Sequence, residues 1–213
     1  MKKKLFNLYD FLLNRYGPQM WWPADSSFEV CVGAVLTQNT SWSNVEKAIL
    51  NLKSSGFLLS DDKTDSENLL TTQLYKIEEL IRPSGYFRQK AVRIHNIAKW
   101  WIENTVDSRL KTPFLSSARN SLLSVNGIGP ETADTILLYA FDKPVFVIDA
   151  YTKRVSSVYL NTPTDIDYSF LQTIFMSNLP PDFQLFNEFH ALIVALAKEK
   201  EYREILSRNF HNC

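Results

Sequence analysis

Asp149 stands at a point in the sequence where a carboxylate can do chemistry. It directly follows the apolar run Val145 to Ile148 and lies at the predicted start of a helix. A carboxylate in that position can cap the helix by accepting hydrogen bonds from backbone N–H groups. It can equally act as a catalytic group beside a bound phosphate backbone. Asp149 alone leaves both roles open.

A tight turn, Gly127-Ile128-Gly129, lies upstream of this carboxylate and joins two predicted helices. Pro130 takes the first position of the second helix, where its missing N–H costs nothing. The glycines let the backbone approach a ligand closely, and exposed amides at a helix N-terminus bind phosphate. Together with Thr132, the pattern predicts a helix-hairpin-helix motif, which binds a DNA backbone without reading its sequence. The alternative is an ordinary corner between two helices.

Apolar spacing predicts an all-α protein of about ten helices around these groups. The run Val145 to Ile148 has no partner strand within reach of a turn, so we expect an extended connector there. The polar segment 60–68 predicts a loop, and the residues after Glu201 predict a less ordered tail. Helices are expected near these positions: 5–16, 28–37, 42–52, 70–81, 91–101, 115–124, 131–141, 150–160, 167–177 and 184–200.

Composition narrows the class of protein. The 213 residues are 45% apolar, include 14 Phe, 9 Tyr and 5 Trp, and carry 23 basic and 23 acidic side chains. This aromatic content excludes a disordered chain, and the zero net charge argues against a strongly basic nucleic-acid binder. No apolar run approaches the ~20 residues of a membrane span. The start, Met1 to Lys4, resembles a signal peptide, but the following residues are amphipathic and lack a small-residue cleavage site, which predicts a cytoplasmic protein.

The hairpin and the carboxylate together resemble a known family. The order Gly-Ile-Gly-x-x-Thr-Ala, then Val-x-Val-Ile-Asp ending at Asp149, is similar to the helix-hairpin-helix DNA glycosylases of the endonuclease III superfamily, the HhH-GPD family. The similarity covers about 21–197. It includes these further segments: Phe28-Glu29, Gly33 to Thr40, Pro83 to Ala91 and Phe189 to Ile193.

This resemblance implies the architecture and the partner. It implies two helical subdomains with a cleft between them, one over about 22–130 with the hairpin at its end and one formed by 1–21 with 145–213. It also implies base excision repair with Asp149 as the catalytic residue. The expected partner is double-stranded DNA containing a damaged base, bound by a monomer in the cytoplasm at the nucleoid.

Glu131 departs from the family pattern in a way that bears on mechanism. Family members that also cut the backbone carry a Lys two residues after the second hairpin glycine, and its amine forms a Schiff base with the sugar. Glu131 occupies that position here, and a carboxylate cannot form an imine. The resemblance therefore implies a monofunctional glycosylase that uses water, with Asp149 stabilising the oxocarbenium-like sugar. Two alternatives remain: a pyrimidine-lesion glycosylase with lyase activity, and a non-catalytic DNA-binding protein.

The C-terminus is the second departure. Many relatives hold a [4Fe–4S] cluster with four cysteines in a C-terminal loop. This chain has two cysteines, Cys31 and Cys213, which exclude both a disulfide scaffold and a site built from several thiolates. We expect no cluster, no metal ligands and no cofactor, although the resemblance suggests a monovalent cation at the hairpin. His190 is interpreted as a structural histidine in an apolar helix.

Tryptophans suggest a pocket for a base. Trp21-Trp22-Pro23, with the aromatic Trp42 after Thr-Gln-Asn-Thr, resembles the 3-methyladenine glycosylase branch. Enzymes that flip a base out of DNA surround it with aromatic rings. An electron-rich indole attracts an alkylated, cationic purine by a cation–π interaction. The alternative is that these tryptophans belong to the core.

Other positions match DNA-contacting residues of the family. Gln38 is expected to fill the gap left by a flipped base, and Tyr86 or Phe87 to wedge the opposite strand. Arg88, Lys90 and Lys153 are candidate phosphate contacts, each with the alternative of an ordinary surface charge. Most acidic residues lie outside the proposed DNA-facing segments 82–93 and 143–154, which are rich in basic residues. The zero net charge is therefore interpreted as the sum of a basic DNA-facing surface and an acidic surface elsewhere. With so few basic contacts, we expect weak non-specific DNA binding.

Overall fold

The computed structural model describes residues 1–105 and 115–210, and within these ranges it contains α-helices, one 3-10 turn and no strand. The predicted all-α class is confirmed. The chain divides into two compact units, Met1–Trp21 with Asp142–Cys213, called the terminal unit, and Trp22–Phe141, called the central unit. The corresponding predicted subdomain ends near residue 130, one helix earlier than the central unit.

Within its described residues, the central unit is built from seven α-helices and one 3-10 turn. They are α2 (Ser27–Leu36), α3 (Trp42–Ser54), α4 (Asp62–Thr71), α5 (Leu74–Leu80), the 3-10 turn Arg82–Ser84, α6 (Phe87–Thr105), α7 (Leu115–Leu123) and α8 (Pro130–Phe141). Helix α2 is buried from Phe28 to Leu36 because it packs against both α6 and α8. Ser26 caps it by accepting a hydrogen bond from Glu29 N at 3.2 Å.

The terminal unit begins with α1 (Lys2–Tyr16) and continues after the central unit. Its other helices are α9 (Ala150–Tyr159), α10 (Tyr168–Asn178), α11 (Phe183–Lys198) and α12 (Tyr202–Phe210). Helix α11 packs against α9 and α1. The run from Val145 to Ile148 is buried and belongs to no helix or strand, so the predicted extended connector is confirmed.

Aromatic packing fixes this connector immediately before Asp149. The Phe146 ring stacks on Phe175 with centroids 4.2 Å apart, and it meets Phe186 and Phe189 edge-on. Gln172 Nε2 donates to the Phe146 carbonyl at 2.8 Å, which satisfies a backbone group that the connector buries. The position of Asp149 is therefore set by the core of the terminal unit.

The predicted loop over 60–68 is wrong, because α4 begins at Asp62. Asp61 caps the helix by accepting from Thr64 N at 2.7 Å. The buried Asp65 carboxylate accepts the Leu59 amide at 2.7 Å, and Leu69 one turn later is fully buried. Acidic residues favour the first turn of a helix, because they cap its amides and interact well with its dipole. The polar residues that predicted a loop therefore form the start of α4.

The predicted less ordered tail is a helix over its described part. Helix α12 covers Tyr202–Phe210 and buries Leu206. The Phe210 ring meets Phe11 and Tyr159 edge-on, with centroids 5.2 and 4.7 Å away. A single apolar face against the core is enough to order this charged helix. Cys213 lies outside the described residues.

Candidate active site

Asp149 caps helix α9 and lies beside a histidine. Its Oδ1 accepts a hydrogen bond from Thr152 N at 2.6 Å. Its Oδ2 lies 3.5 Å from His190 Nε2 on α11, and the side chain is 14% exposed. The predicted capping role is present, and the remaining exposure leaves room for a substrate atom to approach the carboxylate.

The surroundings of Asp149 favour its ionised form. Burial, the largest influence, raises the pKa of Asp149, because it removes water from the charge. Electrostatic attraction to His190 and the hydrogen bonds to the carboxylate outweigh burial and hold the pKa of Asp149 below its usual value. A carboxylate that stays ionised at neutral pH can stabilise a developing positive charge.

The predicted hairpin is formed as a tight turn. Gly127 has a φ of +90°, a conformation that favours glycine. Ile128 is buried at 5% exposure and donates its amide to Val125 O at 3.1 Å, so it anchors the turn. Gly129 and Pro130 are exposed at the start of α8. This is the arrangement that presents a helix N-terminus to a phosphate.

Gly127→Ala is expected to destabilise the protein by roughly 2–4 kcal/mol. The added Cβ would overlap the Arg93 side chain, in addition to the strain of the positive φ. Gly56→Ala is the matched control, since Gly56 has a φ of +77° with nothing within 4 Å, and it should lose only about 1–2 kcal/mol. Urea unfolding measures both values, and equal losses would contradict the close contact between Arg93 and the hairpin.

Gln38 is bound to the hairpin. Its Nε2 donates to Gly127 O at 3.2 Å and to Thr132 Oγ1 at 2.9 Å, and its Oε1 accepts from Arg93. Thr132 is buried at 7% exposure, so its hydroxyl serves this contact and not a phosphate. The predicted backbone contact through the Thr132 side chain is corrected accordingly. Insertion of Gln38 into DNA requires these hydrogen bonds to break.

Tyr86 projects from the surface, whereas Phe87 is held in place. Tyr86 is 65% exposed at a φ of +46°, two residues after the end of the 3-10 turn. The half-buried Phe87 ring makes cation–π contacts with the guanidinium groups of Arg82 and Arg88, at 5.4 and 5.9 Å from its centroid. Tyr86 is therefore the better placed of the two predicted wedge residues, and Arg88 remains exposed.

Lys90 is buried, which contradicts its predicted role as a phosphate contact. Its side chain is 1% exposed. The ammonium group donates to Leu36 O at 2.8 Å and to Ser84 O at 2.7 Å. Burial and the nearby Arg93 lower the pKa of Lys90 to about 8. The lysine joins the end of α2, just before Gln38, to the turn just before Tyr86.

Lys153 also has a backbone partner. Its Nζ donates to the Ile166 carbonyl at 2.8 Å in a partly buried position. A phosphate contact by Lys153 would have to replace this hydrogen bond. The sequence could not show this, because the partner is a main-chain oxygen.

Three of the predicted pocket residues line one cavity in the central unit. Trp22, Pro23 and Trp42 surround a volume of about 430 Å³. The Trp22 and Trp42 rings meet edge-on, with centroids 5.2 Å apart. Gly33 permits this packing, since a Cβ there would lie 3.0 Å from the Trp22 ring. Trp21 ends the first segment of the terminal unit and is not among the residues that line the cavity.

The cavity also contains charged residues that the sequence analysis missed. Trp42 Nε1 donates to Glu46 Oε1 at 2.8 Å. Glu29, 3% exposed, forms an ion pair with Lys53 at 2.8 Å. The spacing of Trp42 and Glu46 on one helix face was a usable signal, because residues four apart are neighbours on a helix. The contact of His190 with Asp149 had no such local signal.

The donor set does not fit an iron–sulfur cluster. Cys31 is fully buried within α2, and the described C-terminal residues of α11 and α12 carry no thiol. Within residues 1–105 and 115–210, no group of three His, Cys, Asp or Glu side chains could hold a metal ion. Among the described helices, none is long and apolar enough to cross a membrane.

Residues 32–181 match the model of the HhH-GPD superfamily of base excision DNA repair proteins. The chain belongs to this superfamily. The family predicted from the hairpin and Asp149 is thereby confirmed. This HhH-GPD protein is 44% identical to a putative DNA repair glycosylase of Methanocaldococcus jannaschii over 198 residues, which are 92% of this chain and 87% of that protein.

An endonuclease III and a 3-methyladenine DNA glycosylase are also similar to this chain. Endonuclease III of Thermotoga maritima is 31% identical over 130 residues, 61% of this HhH-GPD chain and 55% of its own. The structure of the H. pylori 3-methyladenine DNA glycosylase bound to 1,N6-ethenoadenine superposes with a TM-score of 0.81. It is 31% identical and covers 93% of this chain and 97% of that one.

Proposed function

We propose that this protein is a monofunctional DNA glycosylase that releases an alkylated purine such as 3-methyladenine from double-stranded DNA, with water as the nucleophile. The observation that carries the proposal is the Asp149 carboxylate, held ionised between Thr152 N and His190. The similarity to the H. pylori 3-methyladenine glycosylase supports the choice of substrate.

The proposed reaction breaks the bond between the base and C1′ of the deoxyribose. The electron pair leaves with the base, and since an alkylated purine is already cationic, it departs neutral without needing a proton. The Asp149 carboxylate stabilises the oxocarbenium-like sugar that forms. A water oxygen then bonds to C1′, and its proton passes to Asp149 and on to solvent.

The cavity at Trp22 and Trp42 is the proposed site of the flipped base. Its volume of about 430 Å³ lies in the range of small-molecule sites. Indole faces attract a cationic ring, and the contact of Trp42 Nε1 with the Glu46 carboxylate fixes one of them. The proposal therefore favours cationic lesions over neutral ones.

DNA is proposed to bind through the hairpin and through Tyr86. The exposed Gly129 and Pro130 at the start of α8 would meet phosphates, Arg88 would add a charge contact, and Tyr86 would enter the duplex. Gln38 would follow after leaving Thr132. We propose a monomer that works in the cytoplasm at the nucleoid.

Base release from a panel of duplexes tests this function. The panel contains 3-methyladenine, 1,N6-ethenoadenine, thymine glycol and uracil at one position of the same sequence. We expect the fastest release from the 3-methyladenine duplex. Faster release of thymine glycol would favour a pyrimidine-lesion glycosylase, and no release from any duplex, despite binding, would favour a non-catalytic DNA-binding protein.

Borohydride trapping is expected to give no covalent adduct with damaged duplex DNA. Glu131 is an exposed first-turn acid at the position of the family's Schiff-base lysine, and a carboxylate cannot form the imine that borohydride reduces. A strand-cleaving endonuclease III on its own substrate serves as the positive control. An adduct with the wild-type protein, seen as a shifted band on a denaturing gel, would contradict the monofunctional mechanism.

A further inference from the structure

We infer that His190 is a positioning residue for the proposed glycosylase reaction, which fixes the orientation and the ionised state of the Asp149 carboxylate. The inference rests on the proposed catalytic role of Asp149. It concerns a buried histidine that the sequence analysis assigned to the core. His190 acts through Asp149 and touches neither the sugar nor the base in this account.

Two different groups lie against the two oxygens of Asp149. Oδ1 accepts the Thr152 amide at 2.6 Å, and Oδ2 faces His190 Nε2 at 3.5 Å. These two groups come from different helices, α9 and α11, which pack against each other. A carboxylate held at both oxygens has little freedom to rotate. That restriction keeps its charge directed at one point, as a transition-state stabiliser requires.

Burial makes the contact with His190 strong. The side chains of His190 and Asp149 are 9% and 14% exposed. A charge interaction in such a position is weakly screened by water and salt. The pKa of Asp149 is lowered despite its burial, with His190 as the first opposing influence. Without the imidazole, burial would favour the neutral carboxyl, which cannot stabilise a cation.

Other charged groups near α11 have partners of their own. Glu188 on α11 accepts the backbone amides of Gln19 and Met20. On the helices packed against α11, charged and titratable groups make these contacts: Lys153 with Ile166 O and Arg154 over the Tyr151 ring on α9, Tyr9 against Phe189 and Arg15 with Glu199 on α1, and Arg208 with Glu204 on α12. Of the groups that lower the pKa of Asp149, His190 has the largest effect.

The test compares His190→Leu and His190→Gln with the wild type. His190→Leu removes the donor, and His190→Gln keeps an uncharged N–H near the position of Nε2. With enzyme in excess, we expect His190→Leu to release 3-methyladenine roughly 10- to 100-fold more slowly. His190→Gln should recover most of the rate. The Kd for a duplex with an uncleavable abasic analogue should not change in either variant.

The pH profile separates positioning from folding. Asp149 must be ionised, so the rate falls as the pH drops through its pKa. In His190→Leu that fall should begin at a higher pH than in the wild type. Carboxyl carbon NMR follows the titration of Asp149 in both proteins without DNA. If His190→Leu does not fold, His190→Gln takes its place in this NMR comparison.

His95→Leu is the matched control. His95 on α6 contacts Leu70 O through Nε2 at 2.7 Å in the central unit, so its loss removes an imidazole contact far along the chain from Asp149. We expect its rate and pH profile to match the wild type. Unchanged rates and an unchanged Asp149 titration in His190→Leu would overturn the inference while the proposed function stands. Failure of the wild type to release any base would overturn the proposed function instead.

Discussion

Asp149→Asn is expected to slow base release by roughly 10³-fold. The substitution removes the negative charge that stabilises the oxocarbenium-like sugar. It also removes the acceptor for the proton of the attacking water. Asparagine is as good a helix cap as aspartate, so the amide oxygen can still accept from Thr152 N and the fold should persist. The measurement is the single-turnover rate on a 3-methyladenine duplex, together with the thermal midpoint.

Asp167→Asn supplies the matched control for this prediction. Asp167 caps α10 in the same unit by accepting from Phe170 N at 2.9 Å, which is the same local role without a histidine partner. Its rate should stay within about twofold of the wild type, since surface caps act on stability. An Asp149→Asn protein that is folded and retains full activity would refute the catalytic assignment.

Lys90→Met is expected to destabilise the protein by roughly 2–4 kcal/mol at pH 7. Methionine fills the space of the lysine stem but leaves the carbonyls of Leu36 and Ser84 without their shared donor. A buried carbonyl without a partner costs free energy, because water cannot replace the lost hydrogen bond. The free energy of unfolding, measured in urea for both proteins, gives the loss directly.

The loss should grow as the pH rises from 8 to about 10. The pKa of Lys90 is about 8 in the fold and 10.5 ordinarily. Between these values the folded amine is neutral while the unfolded amine still binds a proton, so a rise in pH stabilises the wild type. Methionine does not titrate, and the difference between the two proteins therefore widens. A difference that shrinks with pH would contradict the burial of an ammonium group.

Lys99→Met controls for the loss of a lysine from the same helix. The Lys99 side chain is 65% exposed, and its Nζ lies 3.9 Å from Glu103 Oε1. Such a surface ion pair contributes little to the free energy of unfolding. We expect a change within about 0.5 kcal/mol at either pH. Lys90→Met should also weaken catalysis on duplex DNA, because Lys90 holds the segments that carry Gln38 and Tyr86.

Local patterns were sufficient to predict the hairpin and the cap. Glycine and proline have distinctive backbone preferences, so the residue types of Gly127 and Pro130 indicate a tight turn followed by a helix. Asp149 is a common helix-capping residue type and stands between an apolar run and the next predicted helix. Amphipathic spacing likewise predicted most helices. These features depend on residues that are close in sequence, so a single sequence is enough to predict them.

Contacts between distant segments could not be predicted in the same way. The sequence predicts Lys90 as a phosphate contact, with a surface charge as the alternative, because lysine is almost never fully buried. Its spacing from Ile94 and Ile97 places it on the apolar face of α6, and this spacing indicates burial. The pairing of His190 with Asp149 depends on how α11 packs on α9, and the apolar pattern of α11 does not specify that partner. Helix α4 was missed because its acidic residues are caps and first-turn groups.

The direct test of the central claim follows one labelled strand through the reaction. A duplex with a single 3-methyladenine is incubated with the wild-type protein and with Asp149→Asn, and the strand is analysed before and after hot alkali. We predict that the wild type releases the free base and leaves the strand intact until alkali cleaves it, and that Asp149→Asn releases almost none. Strand cleavage by the wild type before alkali, or equal release by both proteins, would contradict hydrolysis directed by Asp149.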